Sequence, residues 1–180
     1  IYTLMSYGAP FGGGDLAPGA SGYQMTPMSL DIKAIQYLYG PNLGYRTGAD
    51  TYPLKADGTV RTIWDAGGID TISAAGLGEG VTVYLSPGSD IRIGTGTAHE
   101  TYVALAYGAT DARGNTVNLI ENFTGSAHAD YCLGNEADNL LQGRGGNDTL
   151  FGDAGDDTLD GGDGGDSMAG GGRKRSLRGG

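Results

Sequence analysis

Hydrophobic and polar residues alternate in short runs along most of this chain, and glycine separates the runs. Thr59 to Trp64, Val81 to Leu85, Tyr102 to Ala106 and Thr116 to Ile120 carry β-branched and aromatic residues between glycine-containing turns. That spacing predicts short strands within residues 42–124. One stretch has the helical period instead. Ser29 to Tyr39 brings Ile32, Ile35, Leu38 and Tyr39 to one face, places Asp31 in the first turn and stops at Gly40-Pro41. Its apolar face reads as a packing surface.

From residue 125 the period becomes nine. Six rows begin at Gly125, Gly134, Gly143, Gly152, Gly161 and Gly170. The sixth place of each row reads Asp130, Asn139, Asp148, Asp157, Asp166, Arg175, and the eighth reads Cys132, Leu141, Leu150, Leu159, Met168, Leu177. A disordered glycine- and aspartate-rich linker has no reason to keep an apolar residue at every ninth position. The rows resemble the G-G-x-G-x-D-x-U-x nonapeptide of RTX proteins. Glycines at places 1, 2 and 4 are expected to permit left-handed turn conformations and to leave carbonyls bare, place 6 to offer a carboxylate, and place 8 to point inward from a very short strand. Two rows make one 18-residue coil of a parallel β-roll. Stacking then brings together rows n and n+2, so Asp130 is expected to share a metal with Asp148, Asn139 with Asp157, and Asp148 with Asp166. The row from Gly170 is degenerate, because Arg175 stands where a carboxylate would face Asp157.

Charge follows the period. Glycine makes up 36 of 180 residues, far above the usual share of about 7%, and the net charge is −10. Residues 125–169 hold ten acidic side chains and a single base, Arg144, whereas 170–180 hold four bases and no acid. An acidic chain of this kind is no partner for nucleic acid, and calcium is the expected ligand, since it takes six to eight oxygens at roughly 2.3–2.6 Å from carboxylates and carbonyls. No apolar run is long enough to cross a membrane as a helix. A single cysteine excludes an internal disulfide, so a protein of this composition outside the cell needs another source of stability.

Two further turns carry carboxylates ahead of the repeats: Arg46-Thr47-Gly48-Ala49-Asp50, and Trp64-Asp65-Ala66-Gly67-Gly68-Ile69-Asp70. Leading into a calcium roll, they are expected to form its first cation site. Together with Thr3-Leu4-Met5-Ser6-Tyr7, the Asp31 to Gly40 helix, Ile120-Glu121-Asn122 and the nonapeptides, they resemble the serralysin family of secreted bacterial zinc metalloproteases over roughly residues 1–169. The resemblance implies an all-β fold: a calcium-stacked parallel β-roll preceded by short strands and by one helix from the end of a metzincin protease domain. It divides the chain into a protease-domain remnant (1–41), leading strands with the first calcium site (42–124) and the nonapeptide roll (125–180). Calcium ligands implied by the family are Arg46 and Gly48 through carbonyls, Asp50, Asp65, Gly67, Asp70 and Glu121, followed by the roll turns with Asp130, Asn139, Gly143, Gly145, Asp148, Gly152, Asp157, Gly161 and Asp166. Met5 would lie beneath the catalytic zinc, and Tyr7 would stabilise the tetrahedral intermediate.

The same resemblance requires H-E-x-x-H-x-x-G-x-x-H, two histidines one helical turn apart, a third ligand, and a glutamate as general base. The chain has only His99 and His128, and neither sits in that pattern. His99 reads as a loop residue and His128 as a perturbation of place 4. Alone, therefore, the chain is expected not to hydrolyse peptides; zinc would belong to a parent protein whose catalytic half precedes Ile1. The family implies secretion by type I machinery, an extracellular location and protein substrates. A free-standing RTX module for secretion or surface binding is the alternative, and the roll of an RTX lipase or epimerase is disfavoured because neither explains Met5-Ser6-Tyr7 and the helix.

Overall fold

The computed structural model describes residues 29–94, 101–171 and 175–179. In chain order the elements are α1 (Ser29–Tyr39), β1 (Thr51–Pro53), β2 (Val60–Ile63), β3 (Thr71–Ser73), β4 (Val81–Tyr84), β5 (Asp90–Ile93), β6 (Thr101–Leu105) and β7 (Asn122–Thr124). The repeats supply β8 (Tyr131–Leu133), β9 (Leu140–Gln142), β10 (Thr149–Phe151), β11 (Asp157–Gly162), β12 (Ser167–Ala169) and β13 (Arg175–Gly179). The strands are short because a nine-residue row must also supply a turn, which leaves places 7 to 9 for extended backbone.

Among the described residues the strands form two sheets, ordered β1-β3-β7-β9-β11-β13 and β12-β10-β8-β4-β5-β6-β2. Successive rows go to opposite sheets, so each strand of the roll pairs in parallel with the strand 18 residues away, as expected. The register aligns the inward residues in two columns. Tyr52, Ile72, Phe123, Leu141, Leu159 and Leu177 follow one another in the first sheet, and Val83, Cys132, Leu150 and Met168 in the second. Ile72, Val83, Phe123, Cys132, Leu141, Leu150 and Leu159 are fully buried, whereas Leu177 is 45% exposed. The core is thus one residue thick from each sheet. Parallel pairing runs unbroken from β3 through β7 to β9, so the leading strands and the repeats share a sheet across residue 124.

Two expectations need correction. Thr116 to Ile120 is not a strand; it makes one isolated antiparallel bridge, Thr110 to Thr116. The buried Asn118 side chain explains this. It accepts from the Ala109 N–H at 2.9 Å and donates to the carbonyls of Ala106 at 2.9 Å and Tyr107 at 3.1 Å, holding the loop by side-chain bonds in place of a ladder. The helix, in turn, forms where expected and ends at Gly40, whose N–H reaches the Gln36 carbonyl at 2.8 Å and whose φ is +80°. Its face is only partly covered by the described residues: Ile32 is half-buried in a cleft it shares with Arg61, Thr62 and Ile63 of β2, but no α1 residue is fully buried, and Ile35, Leu38 and Tyr39 are exposed. Short strands β1, β3, β5 and β7 were not apparent from the apolar pattern, and β4–β5–β6 form an antiparallel excursion within the otherwise parallel sheet.

Candidate metal-binding turns

Apart from β4 and β13, each inward strand of the stack has an acid or amide just before its inward run, and stacking turns these residues into two columns. On one edge stand Asp50, Asp70, Glu121, Asn139 and Asp157; on the other, Asp130, Asp148 and Asp166. A backbone N–H from one level donates to the carboxylate of the next. Asp50 N–H donates to Asp70 Oδ1 at 2.7 Å, and Asp70 N–H to Glu121 Oε2 at 2.7 Å. Asn139 N–H donates to Asp157 Oδ1 at 3.0 Å, Asp130 N–H to Asp148 Oδ1 at 2.8 Å, and Asp148 N–H to Asp166 Oδ1 at 2.9 Å. The three pairs expected from the n, n+2 stacking are therefore neighbours.

This arrangement uses one oxygen of each carboxylate and strands the other. Asp70 Oδ2, Asp148 Oδ2, Asp157 Oδ2 and Asp166 Oδ2 are buried without a hydrogen-bond partner, although Asp70, Asp148 and Asp157 are at most 2% exposed. A buried carboxylate oxygen with no donor costs several kcal/mol by the usual order of magnitude. Four such atoms in equivalent places are oxygen ligands of the kind a hard cation takes. The glycines fit the same geometry. A Cβ on Gly143, Gly152 or Gly161 would lie 2.1, 2.3 or 2.1 Å from the orphaned oxygen of Asp148, Asp157 or Asp166 in its own row. Place 1 is therefore glycine for space and not for φ, which corrects the expectation for that place; left-handed φ is confined to places 2 and 4. Arg144, Asp153 and Gly162 have φ of 77°, 72° and 82°, and Gly146, Gly155 and Gly164 have 114°, 121° and 137°. Gly145 meets Asp163 of the next coil in a parallel bridge.

Ahead of the repeats, Asp50, Asp65 and Asp70 bring carboxylate oxygens within 4.8 Å of one another. Asp65 accepts from the Gly67 N–H at 2.9 Å and from the Tyr52 hydroxyl. The Arg46 guanidinium lies 5.0 Å from the Tyr52 ring centroid, and its own backbone is left-handed at φ 50°. The Gly48 carbonyl points at Gly68, where a Cβ would come within 2.1 Å of it. The expected first site is thus gathered by three turns, with Glu121 directly above Asp70. Burial pushes the Asp70 carboxyl up to about 6, with Asp65 and Asp50 adding to it. Asp148 is pushed up to about 6 by burial, and then by Asp130 and Asp166. Burial likewise raises Glu121, Asp130 and Asp157.

Asp130 and Asn139 stand where expected but differ in their surroundings. Asp130 accepts from the N–H groups of Val81 at 2.8 Å and Ser126 at 2.6 Å and from the Ser126 hydroxyl at 3.0 Å. Asn139 Oδ1 accepts from the Asn135 N–H at 2.9 Å, and its amide donates to the Glu121 carbonyl at 2.8 Å. Ser126, Asn135 and Tyr52 are not indicated by the repeat pattern; the signal for the first two is a non-glycine residue at place 4 of the same row, His128 or Ala137, where the later rows keep glycine. His128 donates its N–H to Ser126 Oγ at 3.0 Å. Met5, Tyr7 and His99 lie outside the described residues.

Comparison with known proteins gives the same picture. Residues 133–168 match the RTX calcium-binding nonapeptide repeat, in four copies. The chain is 33% identical over 153 residues to a serralysin of Proteus mirabilis, covering 78% of this chain and 28% of that protein. It is 34% identical over 160 residues to metallopeptidase AprA of Pseudomonas marginalis, with 78% and 30% covered. To serralysin G of Dickeya chrysanthemi it is 33% identical over 154 residues, with 78% and 29% covered. It spans less than a third of the length of these curated relatives.

Proposed function

We propose, from the premise that this chain is a C-terminal region of the serralysin family, that it is the calcium-dependent folding module of a secreted zinc metalloendopeptidase. The observation that carries the calcium reading is the recurrence of one buried, unpartnered carboxylate oxygen at equivalent places of the stack, Asp70, Asp148, Asp157 and Asp166. Calcium would be held by these carboxylates with Asp50, Asp65 and Glu121, and by carbonyls of the glycine turns including Gly48, Gly67, Gly143, Gly145, Gly152 and Gly161 and of Arg46. Bound there, calcium supplies the positive charge that lets closely stacked carboxylates stay ionised. Extracellular calcium modules bind at roughly 10⁻⁴–10⁻³ M, so the chain stays open in a calcium-poor cytosol, suits export by type I machinery, and folds in the medium.

The catalytic assignment rests on the family. Met5 would floor the zinc site and Tyr7 would hydrogen-bond the developing oxyanion, while the zinc-binding histidines and the protein substrates belong to the parent enzyme. The exposed Ile35, Leu38 and Tyr39 of α1 support this reading over a free-standing module, because a helix at the end of a larger domain keeps such a face for its own domain. Circular dichroism and calorimetry of the purified chain test the calcium reading. The β signal should fall in EDTA and return with millimolar calcium, with heat of binding over the same range. No heat and an unchanged spectrum would overturn it. The chain alone should cleave no casein. Joined to an upstream half bearing the histidine motif it should cleave, with Tyr7→Phe lowering kcat far more than it alters KM.

A further inference from the structure

Within that calcium reading, on which this step rests, the turns are of two kinds. We infer that calcium binds at two separated stations, the Asp50/Asp65/Asp70/Glu121 turns and the turns of Asp148, Asp157 and Asp166, and that the turns of Asp130 and Asn139 between them are closed by the protein's own hydrogen bonds and take no ion.

The difference begins at place 2. In the rows of Asp148, Asp157 and Asp166 that place is left-handed (Arg144, Asp153, Gly162), as is place 4 (Gly146, Gly155, Gly164). In the two preceding rows these places hold Ser126 with His128, and Asn135 with Ala137, and none of the four has a positive φ. Here the side chain at place 2 does what a cation does elsewhere. Ser126 gives both its N–H and its hydroxyl to the Asp130 carboxylate, which takes a third donor from Val81. No oxygen of Asp130 is orphaned, and its three N–H and O–H donors already satisfy the carboxylate that a cation would otherwise have to stabilise, in contrast to the unpartnered oxygens of the later rows. Asn139 carries no charge to be neutralised. Its amide donates to the Glu121 carbonyl and to Asn135 Oδ1, and Asn135 in turn donates to the carbonyls of Leu85 at 3.1 Å and Ile120 at 2.8 Å. Those bonds tie the two turns to the backbone of Val81, Leu85, Ile120 and Glu121, beside the fully buried Val83, Phe123, Cys132 and Leu141.

The middle of the roll is therefore a waist that closes without metal and presents an ordered edge to each calcium station. Asp148 N–H and Oδ1 already engage the neighbouring levels, so the later rows add onto this edge as calcium binds. Two expected ligands, Asp130 and Asn139, become structural bonds under this reading.

Hydrogen exchange of the unmodified chain tests it. In EDTA the amides of Val81, Ser126 and Asn135 should exchange at least about a hundredfold more slowly than those of Gly152 and Ser167, and calcium should bring the latter two into line. If all five exchange equally fast in EDTA and calcium protects all of them, calcium binding stands and the waist is refuted. If calcium alters none of them, the calcium reading falls first. A calcium titration of two variants reads the same point independently. Asp130→Asn should keep the number of ions bound, with a midpoint within about twofold of the parent, whereas Asp148→Asn should lose an ion or raise the midpoint about tenfold or more. Loss of an ion in Asp130→Asn overturns the inference.

Discussion

Acid should partly substitute for calcium. Most proteins lose stability as pH falls because ionised, well-paired carboxylates are protonated; the ion-free roll has the opposite arrangement. Asp70 and Asp148 are raised from 3.8 to about 6, chiefly by burial. A raised carboxyl favours the folded chain when protonated. Its contribution is present in full below the unfolded value near 4 and is lost as pH rises through about 6. Two pH units correspond to about 3 kcal/mol at most for each group, and Glu121, Asp130 and Asp157 shift in the same direction. Asp57 opposes them, lowered to about 2 by the Thr59 hydroxyl and Arg61, but it lies on the surface and its pair is screened by solvent. Urea unfolding in EDTA at constant ionic strength should therefore show a midpoint higher at pH 4.5 than at pH 7.5, by about 1–2 M for a slope of roughly 1–3 kcal/mol/M. With calcium the sign reverses, because protons compete for the same oxygens: at pH 5 the calcium midpoint should rise about tenfold for each site that must displace one proton. An EDTA midpoint that is flat or lower in acid would refute the reasoning.

Leu150→Ala should cost about 2–5 kcal/mol in calcium-saturated unfolding and Leu177→Ala under about 1 kcal/mol, although both occupy place 8, because Leu150 is fully buried and Leu177 is 45% exposed; equal losses would refute the burial pattern. Gly161→Ala puts a methyl 2.1 Å from Asp166 Oδ2 and should raise the calcium midpoint sharply, whereas Gly78→Ala, with nothing within 4 Å, should leave it unchanged. Tyr52→Phe removes the hydroxyl that holds Asp65 and should weaken calcium binding at the first station while leaving the later rows intact, read by calorimetric titration; an unchanged titration would refute the role of that bond. Cys132 is fully buried, which drives its thiol pKa up, so a thiol reagent should label it slowly with calcium and faster without; fast labelling in both states would break the register of that row.

The roll was legible because its signal repeats. Place 8 gives Leu141, Leu150 and Leu159, all found at the centre, and the n, n+2 rule gives neighbours found at hydrogen-bond distance. What repetition cannot carry is the exception. Asp50, Asp70 and Glu121 belong to the same column as Asn139 and Asp157, but the loops between them differ in length, so no fixed spacing announces it. Thr116 to Ile120 has the composition of a strand and is claimed by Asn118, a contact decided in three dimensions. Place 1 shows a different limit. Its glycine was visible, yet its cause, a carboxylate oxygen folded against the Cα, appears only when the row closes.

The two kinds of turn follow from one electrostatic constraint. A column of carboxylates one strand apart is self-repelling in a poorly solvated edge, and Asp130 and Asp166 add to burial in making Asp148 harder to ionise. A chain can relieve this with an external cation, with donors of its own, or by dropping the charge. The edge that carries Asp148 uses donors at Asp130, where Ser126 supplies two. The opposite edge drops the charge at Asn139, between Glu121 and Asp157. Both internal solutions fall in adjacent rows of the stack, beside fully buried core residues, and the orphaned oxygens lie on either side. At the far end of the stack, where Met168 is only partly buried and Leu177 is 45% exposed, the Asp166 turn is the one at which ion binding adds most to what apolar burial supplies.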